Sequence, residues 1–208
     1  MNITVVSGSS RPDGQSLKIA KWAQSKLAGM GHAATLIDLH TLRLPLDINL
    51  DVTNLNESPE ALTAWNPVRS QLQEANGFVF VSPEWNGMAP PALLNFILYG
   101  SADETKPFAH KPIQLITVSN GRGGDYPAAE LKAYGMKNAL GVYIPGHVAV
   151  RNCRDMFNGP EPAAGNKDDA YIQKRTLYAL QSLLLYAKPL TAMRANSTID
   201  LLAYPNGM

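Results

Sequence analysis

Cysteine is nearly absent from this chain. Cys153 is the only one in 208 residues. No internal disulfide can therefore staple the fold, and a reducing compartment is the expected setting. Charge of one sign is also lacking: 18 Lys and Arg stand against 17 Asp and Glu, with no long run of either. That balance excludes the basic footprint of a nucleic-acid binder and gives no electrostatic attraction to a membrane surface. The four histidines (His32, His40, His110, His147) are scattered, with no His-x-x-x-His or Cys-pair spacing, so no metal site is expected. No apolar run approaches the roughly 20 residues needed to cross a bilayer. The start, Met1-Asn2-Ile3-Thr4-Val5-Val6, lacks the basic and long apolar regions of a signal peptide. The expectation is a soluble, cytoplasmic protein with no nucleic-acid or membrane partner.

Several catalytic signatures are missing as well. There is no Gly-x-Ser-x-Gly elbow, which counts against an α/β-hydrolase. Neither a Gly-Lys-Ser/Thr phosphate loop nor a Gly-x-Gly-x-x-Gly fingerprint occurs. The chain is long enough for one domain with a sizeable core.

What is present is an alternation of apolar runs with helical patterns. Residues 3–7 read as a buried strand, and Leu17, Ala20, Ala23 and Leu27 follow at near-helical spacing before Gly29-Met30-Gly31. Residues 33–39 read as a second strand, and residues 40–65 as a long irregular segment. Asn66-Pro67 resembles a cap followed by proline at the first helical position, predicting a helix to about Ala75. Strands are predicted over 77–82, 112–119 and 142–144, and helices over 91–99, 128–140 and 168–188. Buried strands without alternation, separated by helices, argue for a parallel sheet covered on both faces. One domain over 1–190 with a C-terminal tail over 191–208 is expected.

Three loops follow predicted strands, where an open α/β sheet binds its ligands. The first, Ser7-Gly8-Ser9-Ser10-Arg11-Pro12-Asp13-Gly14-Gln15-Ser16-Leu17, brings hydroxyls, an arginine and a helix start together, as a monophosphate requires. Taken alone it is equally an ordinary capped turn. The second, Ser82-Pro83-Glu84-Trp85-Asn86-Gly87-Met88-Ala89-Pro90-Pro91, frames an aromatic with polar residues. It suits either the edge of a planar heterocycle or a rigid connector. The third, Ser119-Asn120-Gly121-Arg122-Gly123-Gly124, permits close backbone approach. Arg151 and Arg154 flank Cys153 and would lower its pKa if close, but a lone thiol is given no catalytic role.

The sequence resembles the flavodoxin-like NAD(P)H-dependent FMN reductases, which include quinone, chromate and azo-dye reductases. The match rests on Gly8-Ser9-Ser10-Arg11 with Ser16-Leu17, on residues 82–95 carrying the Pro-Glu-Tyr/Trp-Asn signature, and on residues 119–124. The resemblance implies a flavodoxin-like three-layer sandwich, with a five-stranded parallel sheet and helices on both faces. It implies FMN as cofactor and NADPH or NADH as co-substrate, serving a small-molecule electron acceptor by ping-pong hydride transfer. It also implies assembly as a homodimer or homotetramer. Carried over by position, Ser9, Arg11, Gln15, Ser16 and Leu17 hold the FMN phosphate. Pro83, Glu84, Trp85, Asn86 and Gly87 line the isoalloxazine edge, and Ser119, Asn120 and Gly121 approach the ring from the other side. No side chain is assigned a catalytic role, because the cofactor carries the hydride. Leu94 and Leu98 stand where the family usually has charges, implying a more apolar subunit contact. A non-catalytic electron carrier or FMN-binding module is the alternative; carriers tend to be acidic for steering, and this chain is near neutral.

Overall fold

Apolar segments become strands here when turn residues close in on them, and helices when their apolar positions recur every three to four residues. The computed structural model describes residues 1–46, 55 and 58–205. In chain order the elements are β1 (Asn2–Ser7), α1 (Gln15–Gly29), β2 (Ala33–Asp38), α2 (Leu39–Leu42), α3 (Pro59–Glu74), β3 (Gly77–Pro83), α4 (Pro91–Ala102), β4 (Pro112–Val118), α5 (Asp125–Tyr134), β5 (Val142–Tyr143), β6 (Val148–Val150) and α6 (Lys167–Ala195).

The sheet runs β2-β1-β3-β4, with β5 and β6 both paired to β4, and all pairings are parallel. This is the doubly wound order in which the chain reverses direction between β1 and β3. Strand β3 is buried on both sides, and its alternation sorts its side chains between two cores. Phe78 and Phe80 join Trp65, Leu72, Phe96, Tyr99 and Phe108 beneath α3 and α4. Val79 and Val81 join Ile19, Ala23 and Leu27 of α1 and Leu180 and Leu183 of α6. Helices therefore cover both faces, as the sequence implied.

The fifth strand position departs from the expected single run over 142–144. It is split: β5 pairs with Pro112 and Ile113, and β6 with Ile116, Thr117 and Val118. Pro145 has no N–H to offer the ladder, and the buried Gln114 side chain reaches across the break, its Nε2 donating to Gly146 O at 2.9 Å.

Four helices also differ from the predicted bounds, α4 by running on to Ala102. Helix α3 begins at Pro59, after Ser58, and Pro67 lies inside it. Thr63, whose carbonyl Pro67 leaves without a donor, is exposed, as is Pro67 itself, so the break falls on the solvent side. Helix α6 passes through Pro189 in the same way and ends at Ala195; the carbonyl released is that of Leu185, which is 76% exposed. Helix α5 starts at Asp125, directly after Gly124 at φ 109°. Of the irregular segment expected over 40–65, α2 and α3 take up both ends, and 47–54, 56 and 57 lie outside the described residues.

Candidate functional site

Strand register decides which loops meet. Ser7 pairs with Val81, and Pro83 with Val118, so β1, β3 and β4 end along one edge. Backbone bonds then carry the loops outward together: Gly8 N donates to Val81 O at 2.9 Å, Glu84 N to Val118 O at 2.8 Å, and Ser119 N to Val150 O at 2.9 Å. A Cβ on Gly8 would sit 2.9 Å from Val81 O, which is why a residue without a side chain opens the first loop.

A cleft of about 270 Å³ lies at this edge. Of the residues expected at a cofactor site, Ser9, Arg11, Gln15, Ser16, Pro83, Glu84, Trp85 and Asn120 line it. Leu17, Asn86, Gly87, Ser119 and Gly121 do not. Asn86 (φ 50°) and Gly87 (φ 77°) form the tip of a two-residue hairpin, with Trp85 N donating to Met88 O at 2.9 Å and Met88 N to Trp85 O at 3.0 Å. Positive φ at both central positions is the type I′ pattern that favours Asn-Gly. Ser119 and Gly121 are paired with the loop after β6: Cys153 N donates to Ser119 O at 3.2 Å and Asn152 N to Gly121 O at 3.1 Å.

One wall of the cleft is an uncapped helix start. Gly14 precedes α1, no side chain caps the helix, and its first turn holds no acidic residue. Ser16 is buried, and its Oγ has no hydrogen-bond partner among the described residues, nor has Gln15 Oε1. Free amides, a positive helix end and an unsatisfied hydroxyl together are a receptor for an anion. Ser9 Oγ accepts from Arg11 N at 3.1 Å, and a Cβ on Gly14 would lie 3.0 Å from that Oγ. Gly14 thus keeps the cradle open.

Two features of the cleft have no sequence-level signal. The guanidinium of Arg11 lies over Trp85, 4.7 Å from the ring centroid. Arg154 enters from the turn at Cys153–Asp155. With its amide oxygen toward that guanidinium, Asn120 accepts from Arg154 Nε at 3.2 Å and Nη2 at 3.3 Å. Nothing local in the sequence indicates that β6 ends at the same edge, so Arg154 is not among the residues the sequence places at the cofactor. Arg151 turns away, donating to Arg122 O and to Asp125.

Cys153 also lines the cleft, with Sγ 3.3 Å from the Asn120 amide. Burial pushes its thiol pKa up, against the opposing pull of Lys18 and Arg154. The thiol is accordingly kept protonated.

The model for NADPH-dependent FMN reductases matches residues 1–155. The chain belongs to that family. As a member it is an NAD(P)H-dependent FMN oxidoreductase, with FMN as cofactor and a reduced nicotinamide as co-substrate. An NADPH azoreductase of Bacillus sp. (strain OY1-2) is 28% identical over 150 residues, 72% of this chain and 76% of the relative. A quinone reductase of Pseudomonas putida is 30% identical over 128 residues, 61% of this chain and 64% of the relative. Among solved structures, the flavoenzyme NAD(P)H:(acceptor) oxidoreductase FerB from Paracoccus denitrificans superposes with a TM-score of 0.61 at 18% identity, covering 91% of this chain and 97% of that one. That likeness bears on the fold.

The residues present fit the cofactor this FMN reductase requires. The orphaned Ser16 hydroxyl, the uncapped start of α1 and Arg11 suit a monophosphate. Trp85 and the backbone at the ends of β3 and β4 suit a flat ring.

Proposed function

We propose that this reductase passes hydride from NADPH or NADH through bound FMN to a small quinone, azo or similar acceptor. Donor and acceptor take turns at one site, in ping-pong order. The acceptor classes are those in the names of its relatives, the NADPH azoreductase and the quinone reductase. The observation that carries this reading is the buried Ser16 hydroxyl, unpartnered among the described residues, at the uncapped start of α1, in the cleft that Trp85 also lines.

In this reading Ser9, Arg11, Gln15, Ser16 and Leu17 hold the phosphate, and Arg154 adds a second cation. Pro83, Glu84, Trp85, Asn86 and Gly87 form one boundary of the ring site, and Ser119, Asn120 and Gly121 the other. Bound FMN supplies the hydride chemistry. The protein binds and orients, and no side chain is asked to move a proton. Residues 1–190 act as one FMN-binding domain. Exposed Met88 and Leu94 suit cover by a second copy in a homodimer or homotetramer, which light scattering measures. The cytoplasm suits a redox enzyme whose one thiol stays reduced; among the described residues no helix is long and apolar enough to cross a membrane.

The test is a visible spectrum of the purified protein after incubation with FMN. Bands bleached by NADPH or NADH and restored by a quinone support the reductase. Bands that never bleach identify a carrier, and a protein that cannot take up FMN overturns both readings.

A further inference from the structure

The hairpin after β3 and the glycine-rich loop after β4 are tied together by two carboxylates that reach in opposite directions. Glu84, just before the hairpin, accepts a hydrogen bond from the backbone N–H of Gly124. Glu130, on the helix that Gly124 opens, reaches back, its Oε2 accepting from Ala89 N at 2.7 Å just after the hairpin. With Glu84 N bonded to Val118 O, the end of β3, the end of β4, α5 and the hairpin form a closed circuit.

Neither carboxylate has a cationic partner within ion-pair distance among the described residues. Both are directed at backbone amides, in charge-assisted bonds that are stronger than neutral ones. The glycines follow from this arrangement. A Cβ on Gly123 would overlap the Glu84 carboxylate, 2.7 Å from Oε2 and nearer still to Oε1. Gly124 adopts φ 109°, a conformation that costs a residue with a side chain heavily.

We infer that Glu84 and Glu130 are a reciprocal pair of positioning residues that fix the two loops between which the flavin ring lies. The inference rests on the proposed ring site. It adds Glu130, which touches none of the three loop motifs in sequence and does not line the cleft, as a determinant of how the ring is gripped. The phosphate cradle at α1 has hydrogen bonds of its own, Leu17 N to Gly14 O and Arg11 N to Ser9 Oγ, and meets the hairpin through the Arg11–Trp85 contact. The clamp therefore acts first on the ring end of the cofactor.

The test compares wild type with Glu130→Ala, Glu130→Gln and Gly123→Ala. FMN affinity is read by fluorescence quenching, inorganic phosphate affinity by competition, and ring environment by visible circular dichroism. Glu130→Ala is expected to weaken FMN about tenfold or more, in keeping with loss of a charge-assisted bond. Phosphate affinity should hold within about twofold of wild type, as expected of an unchanged set of bonds. The visible dichroism of bound FMN should also change. Glu130→Gln, whose amide oxygen still accepts from Ala89 N, restores most of the affinity. Gly123→Ala displaces Glu84 and gives the same FMN-selective loss, which tests the clamp even if Glu130→Ala does not fold. Equal FMN affinity and unchanged dichroism in Glu130→Ala, or in Gly123→Ala where only that variant folds, overturn the clamp and leave the ring site standing. Parallel loss of FMN and phosphate binding also overturns it, as general destabilisation. A wild-type protein that binds no FMN removes the ring site and the clamp together.

Discussion

Arg11 lies over the face of Trp85, with its guanidinium carbon 4.7 Å from the ring centroid. One arginine thereby joins the loop after β1 to the loop after β3, across the cleft that both help to line. A cation–π contact at a partly exposed site contributes about 0.5–1 kcal/mol. Its larger consequence is geometric, because it holds a cation beside the open start of α1.

Replacing Arg11 and Ser16 together with alanine removes the cation and the orphaned hydroxyl of the cradle. Charge-assisted bonds to phosphate contribute roughly 1.5–3 kcal/mol each, so FMN affinity should fall at least tenfold. Riboflavin, which has no phosphate, should lose much less. Titration of both ligands against wild type and the double variant checks this. Equal losses for the two would mean that the cradle does not hold the phosphate.

The fully buried Asp103 is the charged hub of the α3–α4 side. It accepts from Trp65 Nε1 at 2.7 Å, Arg69 Nη2 at 2.9 Å and Thr105 N at 2.9 Å. Burial alone would raise its pKa, but the Thr105, Trp65 and Arg69 donors together hold it below the usual carboxylate range. A depressed folded value means stability that is complete above the unfolded value, about 3.9, and lost as pH falls through the folded one. Asp103→Asn should cost about 3 kcal/mol at neutral pH by breaking a buried, multiply bonded charge. It should also lessen the acid sensitivity of unfolding. Urea denaturation of both proteins from pH 3 to pH 7 measures the two effects.

Cys153 offers a chemical check on the same edge of the sheet. Its thiol is buried and its pKa is raised, so alkylation by iodoacetamide at pH 7.5 should be slower than for an exposed model thiol by about tenfold or more. In urea the rate should return to the model value. Fast modification of the native protein would contradict the burial.

Much of this architecture is written in local sequence. Strand β3 is legible because Phe78, Val79, Phe80 and Val81 leave no polar face. The elements that depart from the sequence expectation involve distant partners. Asn66-Pro67 has the form of a helix start, yet Trp65 just before it is locked into the core by Asp103, and tertiary packing carries α3 through the proline. The split of the last strand depends on Gln114 bonding Gly146, 32 residues away. In the site, Arg11 and Ser16 announce themselves as a loop, whereas Arg154 and Glu130 arrive on elements whose spacing carries no signal of where they end.

Lys111 gives stability a pH dependence on the alkaline side. It is buried beneath the end of α3, where its Nζ donates to Leu72 O at 2.9 Å and Gln73 O at 2.7 Å. Those bonds cap carbonyls at the negative end of the helix. Burial nevertheless lowers its pKa from 10.5 to about 8, with Arg194 adding repulsion. The folded protein releases this proton near pH 8, while the unfolded chain keeps it to about 10.5. Between those values the unfolded state binds more protons, so the Lys111 contribution to stability rises with pH. The cost of the buried cation is complete below pH 8. Lys111→Met should remove this rise, which amounts to about 2 kcal/mol. The difference between wild-type and variant unfolding free energies at pH 7.5 and pH 10 isolates the effect, since other lysines act equally in both proteins. A difference that stays constant across that range would mean that Lys111 titrates in the folded protein as it does in the unfolded chain.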